Sequence, residues 1–281
     1  MADQNLPEMK RGYSRLRALA ELLDIDVYTY LRFPAIEFLT SFQLLASLFL
    51  SSNALRLVSI GEIESPTSEL NGVFIFFVNS SLGLPSFITS MLILTLVGFG
   101  VAGEIEKKLS QTILSYPVNR ADVYVSKVLT AIVLPVLMFA VSELMAFMIV
   151  RPDLLTRYAI PIMLAAFATL GPLLMFSAIL LAVVVKVKRA GVSMAVGIAV
   201  WFLLAIVVPF SMFLEASGGP GSLTRMAWLL WPICPLREHY IAEPMPVSFE
   251  EALLYLAGHF TAVIALFIGC EKYFTRRFEP T

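Results

Sequence analysis

The stretch AIPIMLAAFATLGPLLMFSAILLAVVV, residues 159 to 185, contains no charged side chain. A helix needs about 20 predominantly apolar residues to cross the hydrocarbon core of a bilayer, which is roughly 30 Å thick. Backbone N–H and C=O groups inside that core must pair with one another, and a helix satisfies them within a single segment. This stretch therefore predicts a transmembrane helix.

Five other stretches of the chain are also long and predominantly apolar. Hydrophobic residues make up 58% of the chain and charged residues 15%, and the mean hydropathy is +0.83. A soluble domain has about 45–50% apolar and 25% charged residues, so this composition excludes a water-soluble fold. The sequence predicts an all-α integral membrane protein, with one transmembrane domain over residues 1 to 281 and six transmembrane helices. We expect the spans near 33–51, 84–102, 128–150, 159–185, 190–214 and 252–271.

The distribution of basic residues predicts the orientation. Every Lys and Arg lies in a terminal segment or in the second or fourth connection between spans, except Arg56, Arg151, Arg157, Arg225 and Arg237. Cytoplasmic loops of membrane proteins are enriched in Lys and Arg. We therefore expect a multi-pass protein of the cell membrane with both termini in the cytoplasm.

Three segments outside the clear spans have patterns of their own. Residues 7 to 32 place leucines at helical spacing among charged residues, which predicts an amphipathic elbow helix on the inner membrane surface. The apolar patch VFIFFV, residues 73 to 78, either lengthens the second span or lies at the membrane interface. The outer connection 215 to 251 holds a short apolar piece between Gly and Pro residues, which we expect to be re-entrant or interfacial.

The connection between the second and third spans, GEIEKKLSQTILSYPVNRADVYVSK at residues 103 to 127, carries a helical pattern. Its apolar positions follow one face, and Pro117 disfavours a helix beyond it. Asn119, with Asp122 three residues later, is typical of the start of a new helix. The pattern predicts a helix over 104 to 115 with an apolar stripe, a turn, and a second helix. The alternative is a solvated connector that only joins two spans. The stripe consists of Ile105, Leu109 and Ile113.

Motifs of catalysis are absent from the sequence. It contains no G-x-x-x-x-G-K-[ST] loop, no H-E-x-x-H and no G-x-S-x-G, and it has two histidines, His239 and His259. We therefore expect no enzyme activity, no ATP site and no metal site in this chain. His259 lies within the sixth predicted span, where a hydrogen bond inside the bundle is favoured over a role as proton relay.

The residues around 103 to 127 resemble a family signature. Their order is similar to the motif after the second span of ABC-2 type permeases, the membrane subunits of a class of ATP-driven transporters. The matching residues are Glu104, Glu106, Leu114, Ser115, Pro117, Val118, Arg120 and Lys127. The family usually has Gly-Thr where this chain has Lys108 and Leu109. The elbow helix, six spans and long last outer connection resemble the family in outline.

The resemblance implies a mechanism. Residues 104 to 115 would form a coupling helix that inserts into a cleft of a separate ATPase subunit, which binds ATP and Mg. The residues implied in coupling are Glu104, Ile105, Glu106, Leu109, Ile113, Leu114, Pro117 and Arg120. The second partner would be another copy of the permease or a homologous permease. Membrane lipid surrounds such a protein, and nucleic acid is not expected as a partner.

Polar and small residues inside the spans indicate two further features. Glu37, Thr40, Gln43 and Ser47 share one face of the first span, and Glu143 lies within the third. Polar groups in a bilayer are costly enough that they should meet protein or water, so these residues line a translocation path or join helices. For Glu143 a structural role is slightly favoured.

Small residues in the fifth span allow two helices to approach closely, and the resemblance implies a dimer interface on this span and on the first span. The small residues of the fifth span are Gly191, Ala195, Gly197 and Ala199.

The sequence thus predicts the membrane-spanning permease subunit of an ABC transporter, working as a dimer and exporting its substrate. The alternative is an ATP-independent secondary transporter or another multi-span membrane protein. A secondary transporter would use coupling ions and often shows inverted repeats. We detect no such repeat in the sequence.

Single cysteines test the orientation. In a background without the native cysteines, Cys placed at 110 or 187 should react with a membrane-impermeant thiol reagent only from the cytoplasmic side. Cys placed at 62 or 220 should react only from outside. Labelling of position 110 from outside would contradict the orientation.

Overall fold

The computed structural model describes residues 15–31, 34–60, 66–108, 119–216, 221–241 and 247–277. Within these ranges the chain is helical and contains no strand, which confirms the predicted all-α class. The helices are α1 (Arg15–Leu31), α2 (Pro34–Ile60), α3 (Pro66–Leu82), α4 (Leu84–Thr95), α5 (Gly103–Glu106), α6 (Arg120–Val128), α7 (Leu134–Val150), α8 (Pro152–Arg157), α9 (Ala159–Val187), α10 (Ala190–Ala216), α11 (Gly221–Leu230), α12 (Ile233–Ile241) and α13 (Phe249–Arg277). Two π-helical segments, Leu96–Ala102 and Leu129–Val133, join α4 to α5 and α6 to α7.

Five helical runs are long and apolar enough to cross a membrane. They are Glu69–Glu106, Arg120–Val150, Ala159–Val187, Ala190–Val207 and Phe249–Arg276. They contain all or most of each of the last five predicted spans, and they fit an integral membrane protein. The first predicted span lies in α2, which is not one of these five. A sixth span therefore stays a prediction, as does the position of α1 at a membrane surface.

The patch VFIFFV belongs to a buried helix. It lies in α3, and Val73, Phe74, Phe76 and Phe77 are almost completely enclosed. Phe76 and Phe77 pack against Phe147 of α7, with ring centroids 4.9 and 5.3 Å from it. Such aromatic pairs contribute about 0.5–1.5 kcal/mol beyond the burial of their area. The patch belongs to the second helical run, Glu69–Glu106, and contributes to a hydrophobic core.

The second half of the short apolar piece in the last long connection is also enclosed. Residues 231 to 236, between α11 and α12 and at the start of α12, are buried against the neighbouring helices. The indole Nε1 of Trp231 donates a hydrogen bond to the carbonyl oxygen of Leu204 on α10 (3.1 Å). Burial raises the pKa of the Cys234 thiol to about 12, so this cysteine stays protonated. Cys234 and Cys270 are both free and buried.

Two glycines of α10 have opposite surroundings. A Cβ atom at Gly197 would collide with Leu94 of α4 and lie 2.9 Å from Cδ1 of Leu180 on α9. A Cβ atom at Gly191 would have no heavy atom within 4 Å. Gly197 therefore allows close packing within the chain, whereas Gly191 lies at an open surface.

Matched substitutions test this difference. Gly197→Leu should destabilise the purified monomeric chain by about 1–3 kcal/mol, because the added side chain has no space in the packed interior. Gly191→Leu is the control and should leave the thermal unfolding temperature in detergent near that of the wild type. Equal unfolding temperatures for the two variants would contradict the packing of Gly197 inside the chain.

Candidate functional site

Three charged side chains meet where α1 packs against the junction of the second and third helical runs. The Lys127 Nζ lies 2.5 Å from Oδ1 of Asp26 and 2.7 Å from Oε2 of Glu104. The three side chains are only 8%, 6% and 15% exposed, respectively. We call Asp26, Glu104 and Lys127 the charged cluster. It joins three helices, α1, α5 and α6, at one end of the bundle.

Local structure positions each member. Asn119 accepts a hydrogen bond from the N–H of Ala121 (3.0 Å), so it caps α6 as the sequence predicts. Glu104 follows the π-helical segment Leu96–Ala102, and Lys127 precedes the segment Leu129–Val133. A π-helical turn holds more residues than an α-helical one and changes the direction in which later side chains point. These segments therefore help to set the angle at which the two side chains meet.

A serine and a tyrosine complete the surroundings. Ser126 Oγ donates to Oδ2 of Asp26 (2.5 Å), so both oxygens of this carboxylate are engaged. The Lys127 Nζ lies 5.3 Å from the centre of the Tyr30 ring, within the range of a cation–π interaction. Burial, and next the negative charges of Glu104 and Asp26, raises the pKa of Tyr30 well above its usual range, so this phenol stays neutral.

The ring of Tyr30 needs a glycine on the facing helix. A Cβ atom at Gly100 would lie 2.6 Å from Cε1 of Tyr30. Gly100 lies in the first π-helical segment, so a side chain there would push α1 away from the bundle.

The second acidic residue of the motif has a different partner. Glu106 Oε2 accepts a hydrogen bond from the backbone N–H of Ala190, the first residue of α10 (2.9 Å). The N-terminal N–H groups of a helix have no partner within it, and its dipole favours a negative charge there. Glu104 and Glu106 thus connect the end of the second run to α6 and to α10.

The predicted coupling helix is not continuous in the described residues. The helix that contains Glu104 ends at Glu106, and Lys108 has a φ of 61°, in the left-handed region. This backbone cannot continue a right-handed helix, so the predicted helix over 104 to 115 is interrupted at Lys108, and the rest of it stays a prediction. Residues 109 to 118 lie outside the described residues, and with them Leu109, Ile113, Leu114 and Pro117.

Ile105 and Arg120 occupy contrasting positions. Ile105 is 3% exposed and packs in the core of the chain itself, so it is not part of an apolar stripe offered to a partner. Arg120 is the exposed first residue of α6.

The polar face of α2 points mainly into the bundle. Glu37 is exposed, whereas Gln43 and Ser47 are fully buried. Gln43 Nε2 donates to Oγ1 of Thr89 on α4 and to the carbonyl oxygen of Pro135 on α7, both at 3.1 Å. Thr40 lines a small cavity beside Pro135. These contacts join α2 to α4 and α7.

Glu143 lies at the junction of three helices. Ser51 of α2 donates to its Oε1 (2.6 Å), and Ser80 of α3 donates to its Oε2 (2.9 Å). The side chain is 2% exposed.

The small residues of α10 do not share one face. Gly191, Ala195 and Ala199 are exposed, whereas Gly197 is buried against α4 and α9. Gly197 is therefore not available to a surface that another chain could contact.

His259 is enclosed within the bundle. Its Nδ1 lies 2.6 Å from the carbonyl oxygen of Leu229. No group of three or more His, Cys, Asp or Glu side chains that could hold a metal ion occurs among the described residues.

Several residues of these sites had no role in the sequence-based predictions. They are Asp26, Tyr30, Gly100, Ser126, Ser51 and Ser80. Asp26 and Lys127 are 101 positions apart in the chain, and no periodic pattern connects them.

Comparison with known proteins adds no relative: no protein-family model matches the chain, and no curated protein matches it significantly.

Removal of the lysine tests the charged cluster. Lys127→Met should lower the stability of the purified protein by about 3–5 kcal/mol, because it leaves two buried carboxylates without their cation. Adding Asp26→Asn and Glu104→Gln to this variant should restore part of the loss. Lys186→Met, at an exposed residue near the end of α9, is the control and should unfold at the wild-type temperature. If Lys127→Met unfolds together with this control, the cluster does not stabilise the fold.

Proposed function

We propose that this chain is the membrane-spanning permease subunit of an ABC-2 type transporter, driven by a separate ATPase subunit. The observation that carries the proposal is the ion pair between Glu104 and Lys127 (2.7 Å). Both residues belong to the motif on which the resemblance rests, and they lie on either side of the connection formed by residues 107 to 118. In this proposal the connection is the contact with the ATPase.

The geometry of Lys108 also supports the resemblance. Its φ of 61° is a conformation that glycine adopts without steric cost and that other residues adopt at about 1–2 kcal/mol. The family usually has glycine at this position of the motif. The backbone of this chain thus has the conformation that such a glycine would favour, although the side chain is that of lysine.

The contacts around the connection suggest how force would be transmitted. Glu104 and Lys127 fix its two ends to each other, Asp26 adds α1, and Glu106 adds α10. A displacement of the connection by the ATPase would therefore move these four helices together. A connector with free ends would absorb the same displacement by bending.

The remaining parts of the proposal follow the family. ATP and Mg would bind to the partner subunit, since this sequence has no phosphate-binding loop. Two permease copies, or this chain and a homologous permease, would enclose the path in the cell membrane and export the substrate. The open surface of α10 at Gly191, Ala195 and Ala199 is the part of the small-residue pattern that remains for such a dimer.

An ATP-independent secondary transporter is the second candidate. The observation that favours it is the buried Glu143, because carriers of this class use intramembrane carboxyl groups to bind coupling ions. Copurification with an ATPase separates the two candidates.

A charge in the connection tests the contact with the ATPase. Leu109→Asp should lower the affinity for the ATPase subunit more than about a hundredfold, because an unpaired charge would be buried in an apolar contact at a cost of several kcal/mol. The measurement is co-elution of the purified permease with the candidate ATPase, followed by substrate-stimulated ATP hydrolysis. Arg120→Ala should preserve co-elution better than transport.

Leu109→Met is the matched control and should co-elute like the wild type. Should Leu109→Asp also assemble, hydrolyse ATP and transport normally, the connection is a passive linker, and the proposal loses its main support.

A further inference from the structure

Glu143 lies in an apolar part of the third helical run. Its neighbours on α7 include Phe139, Ala146 and Phe147, all completely buried. The only hydrogen-bond partners described for its carboxyl group are the hydroxyl groups of Ser51 and Ser80. The group therefore has polar partners but no solvent contact.

No cation neutralises this carboxyl group among the described side chains. The ionisable residues of the helices packed around it are distant along those helices. On α7 the nearest is Arg151, eight positions away, or about 12 Å along the axis. On α3 the nearest is Glu69, eleven positions before Ser80. On α2, Arg56 follows Ser51 by five positions, and its side chain lies outside the described ones. The other ionisable residues of these helices are Glu37 on α2, Asp153 and Arg157 on α8, and Lys186 on α9. Helix α4 contains no ionisable residue.

Burial without a cation favours the neutral form of the acid. Transfer of an isolated carboxylate into a low-dielectric interior costs far more than two hydrogen bonds return, so such groups bind a proton instead. Serine hydroxyl groups can donate or accept. Ser51 and Ser80 can therefore hold the carboxyl group in place both with and without its proton.

A row of polar groups leads to Glu143 along α2. Thr40, Gln43, Ser47 and Ser51 follow one another at steps of three or four residues on a single helical face. Gln43 Oε1 and Ser47 Oγ are buried and have no hydrogen-bond partner. Buried polar atoms of this kind are usually satisfied by ordered water. In our interpretation, Gln43 Oε1 and Ser47 Oγ are therefore atoms to which ordered water would bind.

The row begins at a small cavity near the charged cluster. Thr40 and Pro135 line this cavity together with Tyr30 and Thr130. Gln43, which binds the carbonyl oxygen of Pro135, is the next polar residue of the row. The cavity at Thr40, the polar row and the carboxyl group of Glu143 thus follow one another along one face of α2.

We propose that Glu143, held by Ser51 and Ser80, is an intramembrane proton-binding site that exchanges protons with the cavity through the polar row of α2. A proton from water in the cavity binds a carboxylate oxygen of Glu143, and its release reverses the same step. Only an O–H bond forms or breaks, and no other reactant is needed. The proposal of this site does not depend on the proposed ATPase contact, which is the connection formed by residues 107 to 118.

Infrared spectroscopy of the full chain in lipid nanodiscs tests the site. The difference spectrum of wild type and Glu143→Gln at neutral pH should contain the C=O band of a protonated carboxyl group, and this band should shift in D2O. Ser51→Ala and Ser80→Ala should each shift the band, because each removes a hydrogen bond to the group. Ser142→Ala is the matched control, since Ser142 is adjacent in sequence but donates to the carbonyl oxygen of Phe139. It should leave the band unchanged.

The rate of exchange tests the route. After transfer to D2O, Ser47→Ala should slow the shift of the Glu143 band severalfold relative to Ser142→Ala, with both variants eluting as folded protein. A difference spectrum that contains only carboxylate bands at neutral pH would overturn the proton site. A protonated band that exchanges equally fast in Ser47→Ala and Ser142→Ala would overturn the route through α2.

Discussion

The ammonium group of Lys127, held between two buried carboxylates, is the contact on which the arrangement of the helices most depends. Asp26 and Glu104 carry two negative charges against one positive charge, with Ser126 as an additional donor. Each carboxylate alone would be costly to bury, and the lysine makes their burial tolerable. Because the three residues come from α1, α5 and α6, this electrostatic requirement fixes where α1 packs and where the second and third helical runs meet. The packing of Tyr30 on Gly100 and the capping of α10 by Glu106 then extend the same junction.

The rest of the bundle meets a related constraint, which is that polar groups in an apolar interior need partners on other helices. Gln43 binds groups on α4 and α7, and Glu143 binds serines of α2 and α3. Each contact specifies which helices are neighbours. Apolar packing alone gives little such preference, because lipid tails are as apolar as the side chains of a neighbouring helix. The aromatic cluster of Phe76, Phe77 and Phe147 lies beside Glu143 and supplies packing where the hydrogen bonds supply specificity.

The sequence predicts those features that depend on local pattern. The apolar stretches identify the long helices, and Asn119 identifies the start of α6, because hydropathy and capping act within one segment. The features that depend on backbone detail or on contacts between distant segments were missed. The π-helical segment before Glu104 and the left-handed Lys108 interrupt the regular 3.6-residue period, and Ile105 packs inside the chain rather than on an exposed stripe. The small-residue pattern of α10 identifies close packing but not its partner, and Gly197 packs against α4 and α9 of the same chain.

The two polar sites lie on the same helical runs at different depths, and this arrangement has a mechanical consequence. The π-helical segments separate the charged cluster from α4 and α7, which carry the contacts to Gln43, while α7 continues to Glu143. A π-helical turn can rejoin the α-helical pattern by shifting one hydrogen-bond register, so it is a place where a helix changes its rotation without breaking. In both runs these segments lie between the ion pairs of the charged cluster and the polar contacts of Gln43 and Glu143. A change at the charged cluster would therefore reach Glu143 as a rotation of α4 and α7, and a change in the protonation of Glu143 would act on the cluster through the same two segments.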